Sequence, residues 1–204
     1  SGDYMVPFVG GGSVLLAVLA LRASGDLTVG GKVRASDANP HLVRFYQTIQ
    51  DEDKMRAMHT AASQLMAEHE AAYAEGGPKG KEAHYYECRA AFNKEPTSAL
   101  FLFLNKTCFR GVYREGPHGF NVPYGHYKTT PKLPTLVELL ELNALLKDVQ
   151  ITCGDYQAQL DQCKDGDFVF MDPPYAPETS ASFVGYVRGG FDHARLFKAA
   201  HKVE

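Results

Sequence analysis

The 204-residue chain lacks the features that mark unusual protein classes. It has no strong excess of either charge, with a formal net charge of −3, and 45% of its residues are hydrophobic. That balance excludes intrinsic disorder, collagen and coiled coil. Cysteine is scarce: Cys88, Cys108, Cys153 and Cys163 stand at irregular spacings with no Cys-x-x-Cys pair. Neither a zinc site nor a disulfide framework is expected, and the compartment should be reducing. The longest apolar run, Val14 to Leu21, is far short of the ~20 residues of a membrane span. No basic-then-apolar stretch precedes it, so the expectation is a cytoplasmic protein without membrane contact. Internal repeats and low-complexity tracts are also missing. One hydrophobic core with room for an insertion accounts for the length.

What is present reads as alternating strand and helix. Asp3 to Phe8 is an apolar strand candidate that runs into Gly10-Gly11-Gly12-Ser13, and Val14 to Arg22 continues as a Leu/Ala-rich helix. A second strand, Lys32 to Ser36, ends in Asp37. Asn39 then caps a helix from about Pro40 to Gln50, with proline at its first position. This βαβα opening predicts an α/β protein with a parallel sheet. Residues 51–104 read as helical, broken by a solvated loop at Gly76-Gly77-Pro78-Lys79-Gly80. Residues 105–132 mix glycine, proline, aromatic and basic residues without period and predict loop or irregular β structure. Thr135 and Glu138 form a capping box for a helix over Leu136 to Lys147. Strands over Val149 to Cys153 and Phe168 to Met171, both mostly apolar, are expected to be covered on both faces.

Two segments carry chemistry. In Pro7-Phe8-Val9-Gly10-Gly11-Gly12-Ser13 the glycines let the backbone approach a ligand while the next helix offers unpaired N–H groups. A plain glycine turn explains the tripeptide about equally well; Asp37 adds weight, because nucleotide-binding α/β folds place an acid there for ribose hydroxyls. Position 15 is Leu, so the dinucleotide pattern G-x-G-x-x-G is not satisfied and a nucleoside-bearing ligand without pyrophosphate is expected. The second segment, Asp172-Pro173-Pro174-Tyr175, follows an apolar strand and arises by chance in a chain of this length with odds of ~10⁻³. Its prolines fix the backbone and leave a rigid carbonyl beside a carboxylate, two acceptors suited to an amino group. Tyr175 offers a face on which a base can stack. An ordinary Pro-Pro turn led by Asp172 is the alternative, outweighed by these features.

With Phe109-Arg110-Gly111-Val112-Tyr113-Arg114 and Gly119-Phe120-Asn121-Val122-Pro123-Tyr124-Gly125 between them, these segments resemble the Dam-type (D12 class) DNA adenine-N6 methyltransferases. The resemblance covers about Tyr4 to Phe197, and the order of glycine motif, recognition segment and DPPY matches the alpha group. It implies a Rossmann-like S-adenosylmethionine-dependent fold. Residues 1–50 and 136–204 would be the halves of the catalytic domain, and 51–135 a helical and basic-loop target-recognition insertion. By the same resemblance S-adenosylmethionine is the donor and S-adenosylhomocysteine the product, with no metal. Pro7 to Ser13, Asp37, Asp155 with Tyr156, and Asp172 would hold the cofactor. Asp172 and the Pro173 carbonyl, with Pro174 and Tyr175, would bind the amino group of an adenine flipped out of duplex DNA.

Residues 105–132 contain five basic side chains, Lys106, Arg110, Arg114, Lys128 and Lys132, against one acid, Glu115. The remainder of the chain is therefore at −7. Lys106, Arg110, Arg114, Asn121, Pro123, Tyr124 and Lys128 are the candidate DNA contacts, with both arginines on base edges; a solvated basic loop is the alternative. Family members often carry Asn where this chain has Arg110, and Glu where it has Val6. No recognition sequence can be carried over. The chain stops in what reads as a helix, and by family pattern both ends would be missing. A monomer is the default oligomeric expectation. Two other functions fit the residues less closely: an RNA-directed amino-methyltransferase and a catalytically decayed DNA-binding relic.

Overall fold

A computed structural model describes residues 2–129, 131–174 and 191–202. The described residues fall into two compact units, one formed by residues 2–51, 140–174 and 191–202, the other by residues 52–129 and 131–139.

The first unit is α/β. Strand β1 (Tyr4–Val6) leads through the glycine turn into helix α1 (Ser13–Ser24), and β2 (Val33–Asp37) leads into α2 (Pro40–Gln50). The Asn39 side chain accepts from the His41 and Leu42 amides at 3.0 and 3.2 Å, the cap expected before Pro40. With β5 (Gln150–Cys153) and β6 (Phe168–Val169), these strands form one parallel sheet in the order β5-β2-β1-β6. The parallel α/β expectation is met. A short helix, α6 (Gln157–Leu160), follows β5, and α7 (His193–Ala200) carries an Asp192 cap on the Arg195 amide. A turn at His201–Lys202 follows α7.

Two strand expectations are corrected. β1 is three residues rather than six, because Pro7 cannot donate to a ladder and the chain turns away there. β5 and β6 are not covered on both faces. They lie at the two ends of the strand order among the described residues, and Gln150, Thr152, Cys153 and Phe168 are exposed.

The second unit is mostly helical: α3 (Glu52–Lys94), α4 (Ser98–Thr107) and the start of α5 (Leu136–Leu146), which the Thr135–Glu138 capping box opens as expected. The solvated loop expected at residues 76–80 is instead a reversal at one residue. Gly77 takes φ +59, ψ −145, and Pro78 starts the returning arm of α3. The arms run antiparallel, with Lys81 Nζ 2.6 Å from Glu70 and the rings of His69 and His84 5.6 Å apart. Tyr85, Phe92, Phe103, Leu104 and Phe120 build the core here.

Residues 108–127 carry little regular structure: a 3₁₀ turn (Phe109–Gly111) and a hairpin of β3 (Glu115–Gly116) with β4 (Gly119–Phe120). The backbone of Phe120 and Val122 is bonded from α3. Tyr85, Arg89 and Asn93 recur every fourth residue and so share one helix face. The Tyr85 hydroxyl and Arg89 Nη1 both donate to the Val122 carbonyl, at 2.8 and 3.1 Å. Asn93 pairs with both backbone groups of Phe120, at 2.8 and 3.0 Å, as a neighbouring strand would. Among the described residues, no helix is long and apolar enough to cross a membrane.

Candidate functional site

Because the four strands are parallel, their carboxyl ends share one edge, and the chain-turns that follow them converge there. After β1 the chain crosses above β2: the Val9 amide donates to the Ser36 carbonyl at 2.9 Å and the Ser36 hydroxyl to the Pro7 carbonyl at 3.3 Å. After β5, the Gly154 amide donates to the Asp37 carbonyl at 3.0 Å, and after β6 the Phe170 amide donates to Met5 at 2.8 Å. The glycine turn, Asp37, Asp155 with Tyr156, and Asp172 with both prolines therefore come to the same edge.

The glycine turn is tightly specified. Asp37 Oδ2 accepts from the Gly10 amide at 3.0 Å and Oδ1 from the Asn39 amide at 2.9 Å. The Tyr46 hydroxyl, from α2, donates to the Gly10 carbonyl at 2.9 Å. Tyr46 is 6% exposed, and burial together with the neighbouring Asp37 charge pushes its phenol up to about 12, so it stays a donor at any physiological pH. A Cβ on Gly10 or Gly11 would meet nothing within 4 Å, whereas one on Gly12 would sit 2.4 Å from the Tyr46 oxygen. The turn is thus open on one side and closed by Tyr46 on the other. Ser13 is exposed at the start of α1.

Phe8 and Tyr156 lie side by side, ring centroids 5.2 Å apart, and Phe191 packs against both at 5.6 and 5.8 Å. Tyr156 is 4% exposed and, among the described residues, its hydroxyl has no hydrogen-bond partner. A buried phenol left without a partner costs about 1–3 kcal/mol. Asp155 is already engaged: Arg195 binds both of its carboxylate oxygens, at 2.8 and 3.0 Å, while its guanidinium lies over the Tyr156 ring at 5.1 Å. Asp172 is exposed, and Pro173 and Pro174 are half-buried. The Pro174 carbonyl is 2.8 Å from His193 Nε2, which donates to it in the tautomer protonated there. Tyr175 lies outside the described residues.

The candidate DNA contacts all lie in the second unit. Arg110 and Lys128 are exposed and Lys106 half-buried. Arg110 takes φ +56, ψ 17, one of two described non-glycine residues at positive φ, and its guanidinium lies 5.1 Å from the exposed Phe109 ring. Asn105 holds the turn by donating to the Gly111 carbonyl at 2.9 Å. Arg114 and Asn121 pair with each other: Nε donates to Oδ1 at 2.7 Å and Nη2 to the carbonyl at 3.3 Å. Pro123 is exposed. Tyr124 is corrected. It is 6% exposed, packed on His69 and Tyr85 with its hydroxyl 3.3 Å from His69 Nε2, so its side chain belongs to the core and is not presented to a ligand.

Sequence reasoning missed Tyr46, His193 and Arg195, which reach the expected site residues from α2 and α7. Tyr46 shares a helix face with Val43 and Ile49 and reads as core; only its polar tip distinguishes it. His193 and Arg195 follow an Asp192 cap and read as the exposed first turn of a helix.

A glycine turn, an acid ending the adjacent strand and an Asp-Pro-Pro segment at one edge of a parallel sheet are the arrangement of a Rossmann-like methyltransferase. The chain belongs to the D12 class N6 adenine-specific DNA methyltransferase family, whose model matches residues 2–203. It is 36% identical over 216 residues to the Type II methyltransferase M.MjaIII of Methanocaldococcus jannaschii, covering 98% of this chain and 69% of that protein. It is 35% identical over 180 residues to the DNA N-6-adenine-methyltransferase of Escherichia phage P1, covering 84% of this chain and 20% of the relative. The DNA adenine methylase of Escherichia coli K12 is 31% identical over 213 residues, covering 100% of this chain and 66% of the relative.

Proposed function

We propose that the protein transfers a methyl group from S-adenosylmethionine to N6 of a flipped-out adenine in duplex DNA. The observation that carries this reading is the meeting, at one sheet edge, of the open Gly10-Gly11 turn, Asp37 and Asp172-Pro173-Pro174. That set fits the donor: backbone accessible to a ligand and a carboxylate for hydroxyls. Pro7 to Ser13, Asp37, Asp155 and Tyr156 would hold it, and when bound it supplies an electrophilic sulfonium methyl.

The chain's own part is positioning and hydrogen bonding. The exocyclic amino nitrogen of adenine is a weak nucleophile because its lone pair is delocalised into the ring. The Asp172 carboxylate and the Pro173 carbonyl accept its two hydrogens and localise that pair. His193 holds the neighbouring Pro174 carbonyl, which fixes the turn in which both acceptors lie. Tyr175 stacks on the extruded base. Residues 51–135 serve as the target-recognition part, contacting DNA through Lys106, Arg110, Arg114, Asn121, Pro123 and Lys128. A monomer acting in the cytoplasm is the default.

The test is transfer of tritiated methyl from S-adenosylmethionine to duplex DNA, with N6-methyladenine identified after digestion. Asp172→Ala should reduce transfer by at least about 10²-fold while leaving cofactor binding measurable by calorimetry. Full activity of Asp172→Ala, or methyl appearing in structured RNA in preference to duplex DNA, refutes the reading.

A further inference from the structure

The geometry points to Tyr46 as a positioning residue for the cofactor turn: its hydroxyl and the Asp37 carboxylate grip Gly10 from both sides and set which way the Gly10–Gly11 peptide faces. The inference rests on the proposed function and concerns a residue that no motif contains.

Gly10 has positive φ, +48, and a backbone with no Cβ would otherwise sample several conformations at little cost. Two side chains remove that freedom. Asp37 Oδ2 takes the Gly10 N–H at 3.0 Å and Tyr46 gives its hydroxyl proton to the Gly10 C=O at 2.9 Å. No described peptide is cis, so the Gly11 N–H points opposite to the Gly10 C=O. Since Tyr46 holds that carbonyl toward α2, the Gly11 N–H is turned away from α2, with no protein atom within 4 Å of where a Gly10 or Gly11 Cβ would be. A donor fixed in this direction is available to a ligand acceptor without reorganisation. Rigid placement of Tyr46 comes from its burial and from an α2 anchored by the Asn39 cap. The same residue explains the third glycine: at φ +76, Gly12 must pass the Tyr46 oxygen where a Cβ would come within 2.4 Å.

Tyr46→Phe keeps the ring and deletes the hydroxyl. Losing one pre-set donor corresponds to about a fivefold to tenfold rise in the Kd and KM for S-adenosylmethionine. The KM for DNA should stay within twofold, and so should kcat at saturating cofactor. A purely structural role would instead lower the active fraction, reducing kcat with the cofactor KM unchanged. As a second probe, Gly12→Ala should weaken cofactor binding more in the wild-type background than in Tyr46→Phe, where the clashing oxygen is gone. Calorimetry and steady-state kinetics on the full chain read both. A cofactor Kd unchanged in Tyr46→Phe, or equal effects of Gly12→Ala in both backgrounds, overturns the positioning role while leaving the function intact. A wild-type protein that binds no S-adenosylmethionine overturns both.

Discussion

Replacing Arg110 and Lys128 together with glutamine removes two of the five positive charges of residues 105–132, and both side chains are exposed. If each neutralises one phosphate, each contributes about −0.9 to the slope of log affinity against log salt, so the variant's slope should be shallower by about 1.8. Between 50 and 200 mM salt, a fourfold change, wild-type affinity should then fall about twelvefold more than the variant's. Arg114 is spared in this design because two of its donors are committed to Asn121. Fluorescence anisotropy with a labelled duplex, titrated at three or four salt concentrations, measures the slopes directly. A variant with the wild-type slope would refute the assignment of DNA contact to this basic segment, whatever its affinity at one salt. A uniform loss of affinity at unchanged slope would mean that the two residues act through the fold of the loop instead of through phosphates.

Three other outcomes follow from the helical unit and the sheet edge. Burial, then the charges of His84 and Lys81, push the His69 imidazole down to about 4, with Glu70 opposing. Its folded pKa lies below the unfolded value near 6.5, so the stabilisation is complete above pH 6.5 and lost as pH falls toward 4; by pH 5 the loss should amount to about 2 kcal/mol. Urea titrations at pH 7.5 and 5 should show wild type losing more than His69→Gln, and equal losses would refute this. Tyr85→Phe should cost about 1–2 kcal/mol by leaving the Val122 carbonyl with one partner fewer, read as a lowered denaturation midpoint with unchanged slope. Asn93→Ala removes both bonds to Phe120 and should raise the Kd for DNA without changing that for S-adenosylmethionine. A parallel rise in both would show that the loss is not confined to the loop.

Local chemistry made several elements legible in advance. Asn39-Pro40 announced α2, Thr135 and Glu138 announced α5, and two acidic strand ends pointed to the edge where a ligand belongs. What the sequence does not display is contact between distant segments. Gly76 to Gly80 has the composition of a loop, yet a single residue makes the turn because the two helical arms bury their faces on each other. Residues 108–127 have little period of their own, and the backbone of Phe120 and Val122 within them is held by Tyr85, Arg89 and Asn93, some thirty residues earlier on α3. Tyr124 reads as a surface aromatic in a basic stretch, and only the tertiary packing around His69 shows it to be interior. Tyr46 has the same double character, apolar by spacing and polar at one atom.

Arg110 at φ +56 bears on how this basic loop could change over time or in a selection. Left-handed backbone is several-fold more accessible to asparagine, aspartate and glycine than to arginine, at a cost to other residues of about 1 kcal/mol or more. Any substitution there alters two quantities at once, the contact made by the side chain and the strain carried by the turn. Asn or Gly would relieve strain while giving up the guanidinium, so a library screened only for expression would drift toward those residues and away from Arg. A screen for altered sequence preference at this position should therefore be run in a background stabilised elsewhere, so that variants are ranked by the base they read and not by the backbone they relax.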